Sequence, residues 1–133
     1  MKTNLKWIGV LALSLLGLIS CQKEENLERN EEVLMGCWIH SLEEDSIAGI
    51  ETYRRCDYKD FAPIWFRQTY ILRENQECDY LVLAPNDAHF VETGSWQWDE
   101  ESRMLNILKQ DGSEVKILEI NNLTDTLWYG NVQ

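Results

Sequence analysis

The segment HFVETGSWQW, residues 89–98, decides the fold class. Its aromatic residues Phe90, Trp96 and Trp98 occupy positions of one parity. The other parity is mostly polar and includes His89, Thr93, Ser95 and Gln97. Because successive side chains of a strand point to opposite faces, this alternation predicts a β-strand with one buried face.

Other segments have the apolar and aromatic composition of strands and are separated by polar turns. They are residues 34–42, 65–72, 78–83, 104–108, 115–120 and 126–132. Pro85-Asn86-Asp87 and Gln110-Asp111-Gly112 supply turn residues between them. About seven strands at spacings of about ten residues predict an all-β fold, either a sandwich or an antiparallel meander closed into a barrel. We expect the small β-barrel, since closure removes the edges of an open sheet.

The first 20 residues differ from the rest of the chain in charge. All 23 acidic residues lie after them, and Lys2 and Lys6 give a basic start. The apolar run from Trp7 to Ile19 would make about 20 Å of helix, too short for a bilayer core of about 30 Å. This pattern predicts an export signal peptide over residues 1–20 rather than a membrane-spanning anchor.

The signal peptide ends in Leu18-Ile19-Ser20-Cys21, which resembles the lipobox of bacterial lipoproteins. The resemblance implies cleavage before Cys21 and lipidation of that residue. A diacylglycerol would be attached to its sulfur, and an acyl chain such as palmitate to its new amino group. Two or more chains anchor a protein stably, so the resemblance predicts a membrane-bound protein.

Residues 21–33 are predominantly polar and acidic, which predicts a lipidated tether before the domain. A short helix is the equal alternative, since Leu27 and Leu34 would share one helix face and cover an end of the domain. The residues after Cys21 resemble those of outer-membrane lipoproteins. We expect the protein to be located in the bacterial cell envelope, anchored in the outer membrane. It could face the cell exterior or the periplasm.

Three motifs along residues 34–133 resemble those of small bacterial lipocalin-like domains. Gly36-Cys37-Trp38 is similar to the first strand of that family, and Gly94–Asp99 and Leu123–Leu127 are similar to two later segments. The resemblance implies a lipocalin-like barrel in which Gly36 and Trp38 are structural and plug one end. The chain departs from full lipocalins in its shorter length. Residues 47–61 would form a lid or an insertion.

The composition excludes several classes of function. The chain has 12 basic and 23 acidic residues, a net charge of −11, and no basic block that would bind nucleic acid. It has no glycine-rich phosphate-binding loop. The acidic runs Glu43-Glu44-Asp45 and Asp99-Glu100-Glu101 fall in predicted turns, where solvated charge explains them. We therefore expect no enzyme activity, no cofactor and no metal site.

After lipidation of Cys21, the cysteines Cys37, Cys56 and Cys78 remain. An exported protein reaches an oxidising compartment, so one disulfide is expected, with three possible pairings. We favour Cys56–Cys78, because that bond would fix the long segment 47–61 to the sheet.

The aromatic residues either fill the barrel or line a pocket. The candidate pocket residues are His40, Tyr70, Phe90, Trp96 and Trp98. We expect a pocket, and with it binding of a small apolar or amphipathic molecule, with the filled barrel as the alternative. A filled barrel would instead predict a structural or interaction module for an envelope or extracellular protein. A basic partner would then suit the acidic surface.

Overall fold

Eight antiparallel strands form a closed barrel in the computed structural model, which describes residues 30–133. The strands are β1 Gly36–His40, β2 Ile50–Arg55, β3 Thr69–Leu72, β4 Glu77–Leu83, β5 His89–Asp99, β6 Met104–Leu108, β7 Glu114–Leu123 and β8 Leu127–Val132. Single 3-10 turns span Leu42–Glu44 and Glu74–Gln76. The expected small antiparallel barrel is confirmed. The signal peptide, Cys21 and most of the tether lie outside the described residues.

The strand order around the barrel is β1-β2-β8-β7-β6-β5-β4-β3, and β3 closes the circle on β1. Strands β3 to β8 form a meander. The β1–β2 hairpin enters this circle in reverse order, so β2 pairs with β8 and β1 pairs with β3. The order therefore differs from that of a simple up-and-down barrel. The connection 56–68, called the crossover below, has to pass β1 to reach β3.

Strand β2 lies within residues 47–61, where a lid or an insertion was expected. That expectation is wrong for Ile50–Arg55. Strand β2 lacks the alternating hydrophobic pattern of a half-buried strand. Its inward positions are Glu51, Tyr53 and Arg55, and only Tyr53 is aromatic. Tyr53 is fully buried, whereas both charged neighbours lie at the ends of the barrel and are hydrogen-bonded there.

Side chains fill the barrel interior. Thirteen residues form one buried cluster: Leu34, Trp38, Tyr53, Tyr70, Leu72, Cys78, Tyr80, Trp96, Leu105, Ile107, Leu118, Ile120 and Trp128. We call the end where β1 and β8 begin the plug end and the opposite end the mouth. The plug end carries the turns at 73–76, 100–103 and 124–126. The mouth carries the segment 41–49 and the turns at 84–88 and 109–113.

A short lead segment covers the plug end. Residues 30–34 are helical, and Leu34 is fully buried. The Trp38 indole Nε1 donates to the Leu34 carbonyl at 2.7 Å, which ties the lead segment to β1. Of the two alternatives for the tether, the described part therefore favours the short helix.

Gly36 and Arg55 meet at the same end. Gly36 has φ +121, and a Cβ there would overlap Arg55 Nη1. The Arg55 guanidinium packs 3.9 Å from the Trp38 ring centroid and donates to the carbonyls of Val33, Met35 and Asp125. Only glycine leaves room at position 36 for this guanidinium and also tolerates the backbone conformation.

The disulfide joins Cys37 to Cys56, with a Cα–Cα distance of 5.5 Å. The favoured pairing of Cys56 with Cys78 is therefore wrong. Cys78 lies on the inner face of β4 and is fully buried, and burial raises the pKa of its thiol to about 12. Cys37 has the opposite parity to the buried Trp38, so it points outward, where the crossover begins. The bond thus fixes the crossover to the outside of β1.

Within residues 30–133, no helix is long and apolar enough to cross a bilayer.

Candidate functional site

The five candidate pocket residues do not meet at one cavity. Trp96 and Tyr70 are buried members of the interior cluster. Trp98 is half-buried near the plug end, and its indole Nε1 donates to Glu100 at 2.6 Å. Phe90 lies on the protruding part of β5 at the mouth and is 42% exposed. The fifth residue, His40, also lies at the mouth, on the end of β1.

His40 has protein partners on several sides. Its Nε2 lies 2.7 Å from Asp45 Oδ2, and its ring stacks on the Tyr53 ring at a centroid distance of 5.0 Å. Its carbonyl accepts a hydrogen bond from Arg67 at 2.8 Å. The residue therefore closes the mouth as part of the fold, and it does not present a free imidazole to a ligand.

A polar layer lies over the aromatic interior at the mouth. Glu51 accepts hydrogen bonds from the Tyr53 hydroxyl at 2.9 Å and from Lys116 Nζ at 2.6 Å. The Tyr80 hydroxyl donates to Glu92 at 2.8 Å. Burial raises the pKa of Tyr53 well above its usual value and that of Tyr80 to about 12. At neutral pH both phenols are therefore protonated donors, and neither acts as a base.

Two bidentate ion pairs hold the 3-10 turn Leu42–Glu44 at the mouth. Arg67 donates to both oxygens of Glu43 at 2.9 and 2.7 Å, and Arg54 does the same for Glu44 at 2.9 and 2.6 Å. The hydrogen bond from each guanidinium lowers the pKa of its carboxyl partner to about 2. The turn is thereby tied to β2 on one side and to the crossover on the other.

These ion pairs should make the barrel sensitive to acid. A carboxyl group whose pKa is lowered on folding stabilises the fold above its unfolded value of 4.5, and this stabilisation is lost as the pH falls towards 2. We expect a Glu43→Gln/Glu44→Gln double variant to be less stable than wild type at pH 7 and to lose less stability between pH 4.5 and pH 2. Urea unfolding across this pH range measures the difference, with the exposed Glu101→Gln as control. Parallel curves for wild type and double variant would contradict the assignment.

Two solvent-open grooves lie on the described part of the molecule. The first, about 390 Å³, is at the plug end between the lead segment and the β3–β4 turn, with Met35, Arg73 and Trp96 among its lining residues. The second, about 410 Å³, is at the mouth between β5 and the β6–β7 turn, and Tyr80, Glu92 and Asp111 line it. Within residues 30–133, no group of three or more His, Cys, Asp or Glu side chains is arranged to hold a metal ion.

An exposed apolar surface lies on the outer side of the β4–β5 hairpin. Its centre is His89, whose ring meets the rings of Trp65 and Phe66 at centroid distances of 6.0 and 5.6 Å. Leu83 lies directly across the ladder from His89, and Val91 follows two residues along the same face. We call this surface the His89 patch; it consists of Trp65, Phe66, Leu83, His89 and Val91.

Sequence reasoning placed Trp65 and Phe66 in a strand and did not identify this patch. The strand β3 begins only at Thr69, so both aromatic residues belong to the crossover. One signal was present in the sequence. Val91 breaks the polar parity of residues 89–98, and Leu81 and Leu83 make both faces of β4 apolar near the hairpin turn. When both faces of a hairpin are apolar and one of them packs against the core, the other face is either covered by another segment or exposed to solvent.

Comparison with known proteins finds no match for this chain: no family model fits it, and neither the curated proteins nor the solved structures contain a significant relative.

Proposed function

We propose that this protein is a membrane-anchored envelope lipoprotein whose filled, eight-stranded β-barrel serves as a non-catalytic protein-interaction module. The observation that supports the proposal is the packed interior. The rings of Tyr53 and Trp128 stack at a centroid distance of 4.1 Å, and Trp38 meets Trp128 edge-on at 6.1 Å. These aromatic side chains occupy the volume in which a small barrel would hold its ligand.

Binding of a small apolar or amphipathic molecule is the second candidate function. The groove at the mouth favours it, because a volume of about 410 Å³ falls within the range of ligand sites. Its lining weakens this candidate, since Glu92, Lys109 and Asp111 are charged and an apolar ligand would have to desolvate them.

Tryptophan fluorescence distinguishes the two functions. We expect no saturable response when the protein is titrated with fatty acids, haem, bile-acid-like sterols and aromatic compounds, because the interior has no room for them. Glu92→Gln is the diagnostic variant, since Glu92 lines the groove and accepts the Tyr80 hydroxyl bond. A saturable response that this variant alters would place a ligand at the mouth and contradict the filled-barrel proposal.

Membrane anchoring depends on Cys21, which lies outside the described residues. We expect Cys21→Ser to abolish incorporation of labelled palmitate and to move the protein from the membrane fraction to the soluble fraction, because no diacylglycerol could be attached. Lys23→Gln is the matched control, since it changes a charged neighbour and leaves the lipobox intact. Retention of the Cys21→Ser variant in membranes after a carbonate wash would refute the anchor.

A further inference from the structure

We propose that the His89 patch docks a cationic amphipathic segment of a partner protein, whose apolar side chains cover the patch while flanking lysine or arginine residues face the acidic hairpin. This inference rests on the proposed interaction function and specifies the surface and the partner chemistry.

The patch is continuous and strongly exposed. Trp65 is 65% exposed and Val91 is 62% exposed. The Trp65 ring contacts the His89 ring, and His89 pairs with Leu83 across the β4–β5 ladder. Val91 lies on the same face, two residues after His89. Contiguous apolar surface of this kind marks interaction sites on soluble domains. Tryptophan is also the residue type most enriched among side chains that dominate binding energy at protein interfaces.

The patch is also built on a supported scaffold. The β4–β5 hairpin is paired over seven residue positions, from Glu77↔Ser95 to Leu83↔His89. The crossover that supplies Trp65 is fixed to the rest of the domain on both sides of this residue. Arg67 donates to Glu43 and to the Ala62 carbonyl, and the Cys37–Cys56 bond fixes the beginning of the crossover. The apolar side chains are therefore presented by ordered backbone, which reduces the entropy lost on binding.

The charge around the patch selects a cationic partner. Residues 81–93, which form the mouth side of the β4–β5 hairpin, contain two acidic residues and no lysine or arginine, and the whole chain has a net charge of −11. Asp87 lies in the hairpin turn, two residues before His89, whereas Glu92 has the opposite parity to Val91 and accepts the Tyr80 hydroxyl hydrogen bond on the other side of the strand. A partner with lysine or arginine beside its apolar anchors would gain favourable long-range attraction and faster association.

The protein's own cations do little to neutralise this surface. Six of the eight lysine and arginine side chains in residues 30–133 already donate to the protein itself. They are Arg54, Arg55, Arg67, Arg73, Arg103 and Lys116. The net charge of −11 also opposes contact with a second copy of the chain or with an anionic lipid surface.

The position of the patch is consistent with a partner beyond the anchoring membrane. The lead segment 30–34 reaches the barrel at the plug end, whereas the patch lies near the mouth at the opposite end. Eight residues lie between Cys21 and Asn30, so a fully extended chain would place these two residues at most about 30 Å apart. Anchoring through Cys21 would therefore hold the plug end close to the lipid.

Binding of model peptides tests the proposal on the full lipidated protein in phosphatidylcholine nanodiscs, with empty nanodiscs as the blank. The probe is a fluorescent amphipathic peptide of leucine and lysine, and the matched peptide has glutamate in place of lysine. We expect saturable binding of the lysine peptide that weakens with added salt, and no binding of the glutamate peptide. Equal binding of both peptides, or binding of neither, would overturn the inference.

Variants locate the binding site. We expect Trp65→Ser and Val91→Ser each to weaken binding of the lysine peptide by about tenfold or more. Ile47→Ser is the matched control, because Ile47 is also 62% exposed but lies in the β1–β2 connection. Asp87→Asn should weaken binding, whereas Asp125→Asn at the plug end should not. Unchanged affinity in the two patch variants, with unchanged melting temperatures, would overturn the assignment.

Two further outcomes would assign the patch to a different binding partner. A concentration-dependent dimer that Val91→Ser abolishes would assign the patch to a second copy. Binding to phosphatidylglycerol vesicles that Trp65→Ser abolishes would assign it to lipid. Either result overturns this inference alone, since the filled-barrel proposal is tested separately by the fluorescence titration with small molecules.

Discussion

Replacing Trp38 by alanine should lower the free energy of unfolding by about 3–5 kcal/mol, the usual cost of removing a buried tryptophan. Trp38 is fully buried and contacts three other parts of the plug end. Its ring meets Trp128 edge-on and lies under the Arg55 guanidinium, and its Nε1 holds the Leu34 carbonyl at 2.7 Å. The substitution leaves a cavity, and it also leaves a buried carbonyl without its donor.

Urea unfolding followed by circular dichroism measures this loss. Trp65→Ala is the matched control, because it removes the same side chain from a position that is 65% exposed and should change stability by no more than about 0.5 kcal/mol. Trp38→Phe should fall between wild type and Trp38→Ala, since it retains most of the ring and loses only the hydrogen bond and part of the packing. A loss below about 1 kcal/mol for Trp38→Ala would mean that the indole does not seal the plug end.

Reducing the Cys37–Cys56 disulfide should cost about 3 kcal/mol of stability, because the bond closes a loop with a sequence separation of 19. For a domain of this size, such a loss should lower the melting temperature by roughly 12–24 °C. Calorimetry with and without a phosphine reductant measures the shift. Cys37→Ser and Cys56→Ser should each reproduce it and should be insensitive to the reductant.

A Cys78 variant is the control that distinguishes the possible disulfide pairings. Cys78→Ala should retain the full sensitivity to reductant, and the Cys78 thiol should resist alkylation in the folded protein because it is buried and protonated. Peptide mapping under non-reducing conditions should recover the peptide that links Cys37 to Cys56. A peptide that contains Cys78 in disulfide linkage would contradict the observed pairing.

The alternation around Trp96, together with six further strand-like segments separated by turns, was sufficient to predict the fold class. Strand β5 carries most of its aromatic residues at one parity, and a one-sided strand of eleven residues requires a packed face. Strand β2 escaped the same test because Glu51 and Arg55 point inward at the two ends of the barrel. Hydrogen bonds satisfy those charges, and a hydropathy pattern does not contain that information.

The disulfide and the site depend on the order of the strands, which local patterns do not specify. Cys37 and Cys56 become neighbours because the crossover passes the outer face of β1. The same crossover carries Trp65 and Phe66 to His89, which lies more than 20 positions further along the chain. The candidate pocket residues were chosen by aromatic character and strand parity, and these criteria do not separate side chains that fill a barrel from side chains that line a cavity.

The reversed entry of the β1–β2 hairpin has a consequence for how the chain folds. The hairpin with its disulfide and the meander from β3 to β8 each join strands that are close in sequence. The seam between β2 and β8 instead joins Ile50–Arg54 to Leu127–Asn131, the most distant pairing in the barrel. Forming such a distant contact is slow, because a long loop must close before the pairing stabilises it. The barrel therefore closes around its aromatic interior only when residues 127–131 pair with β2.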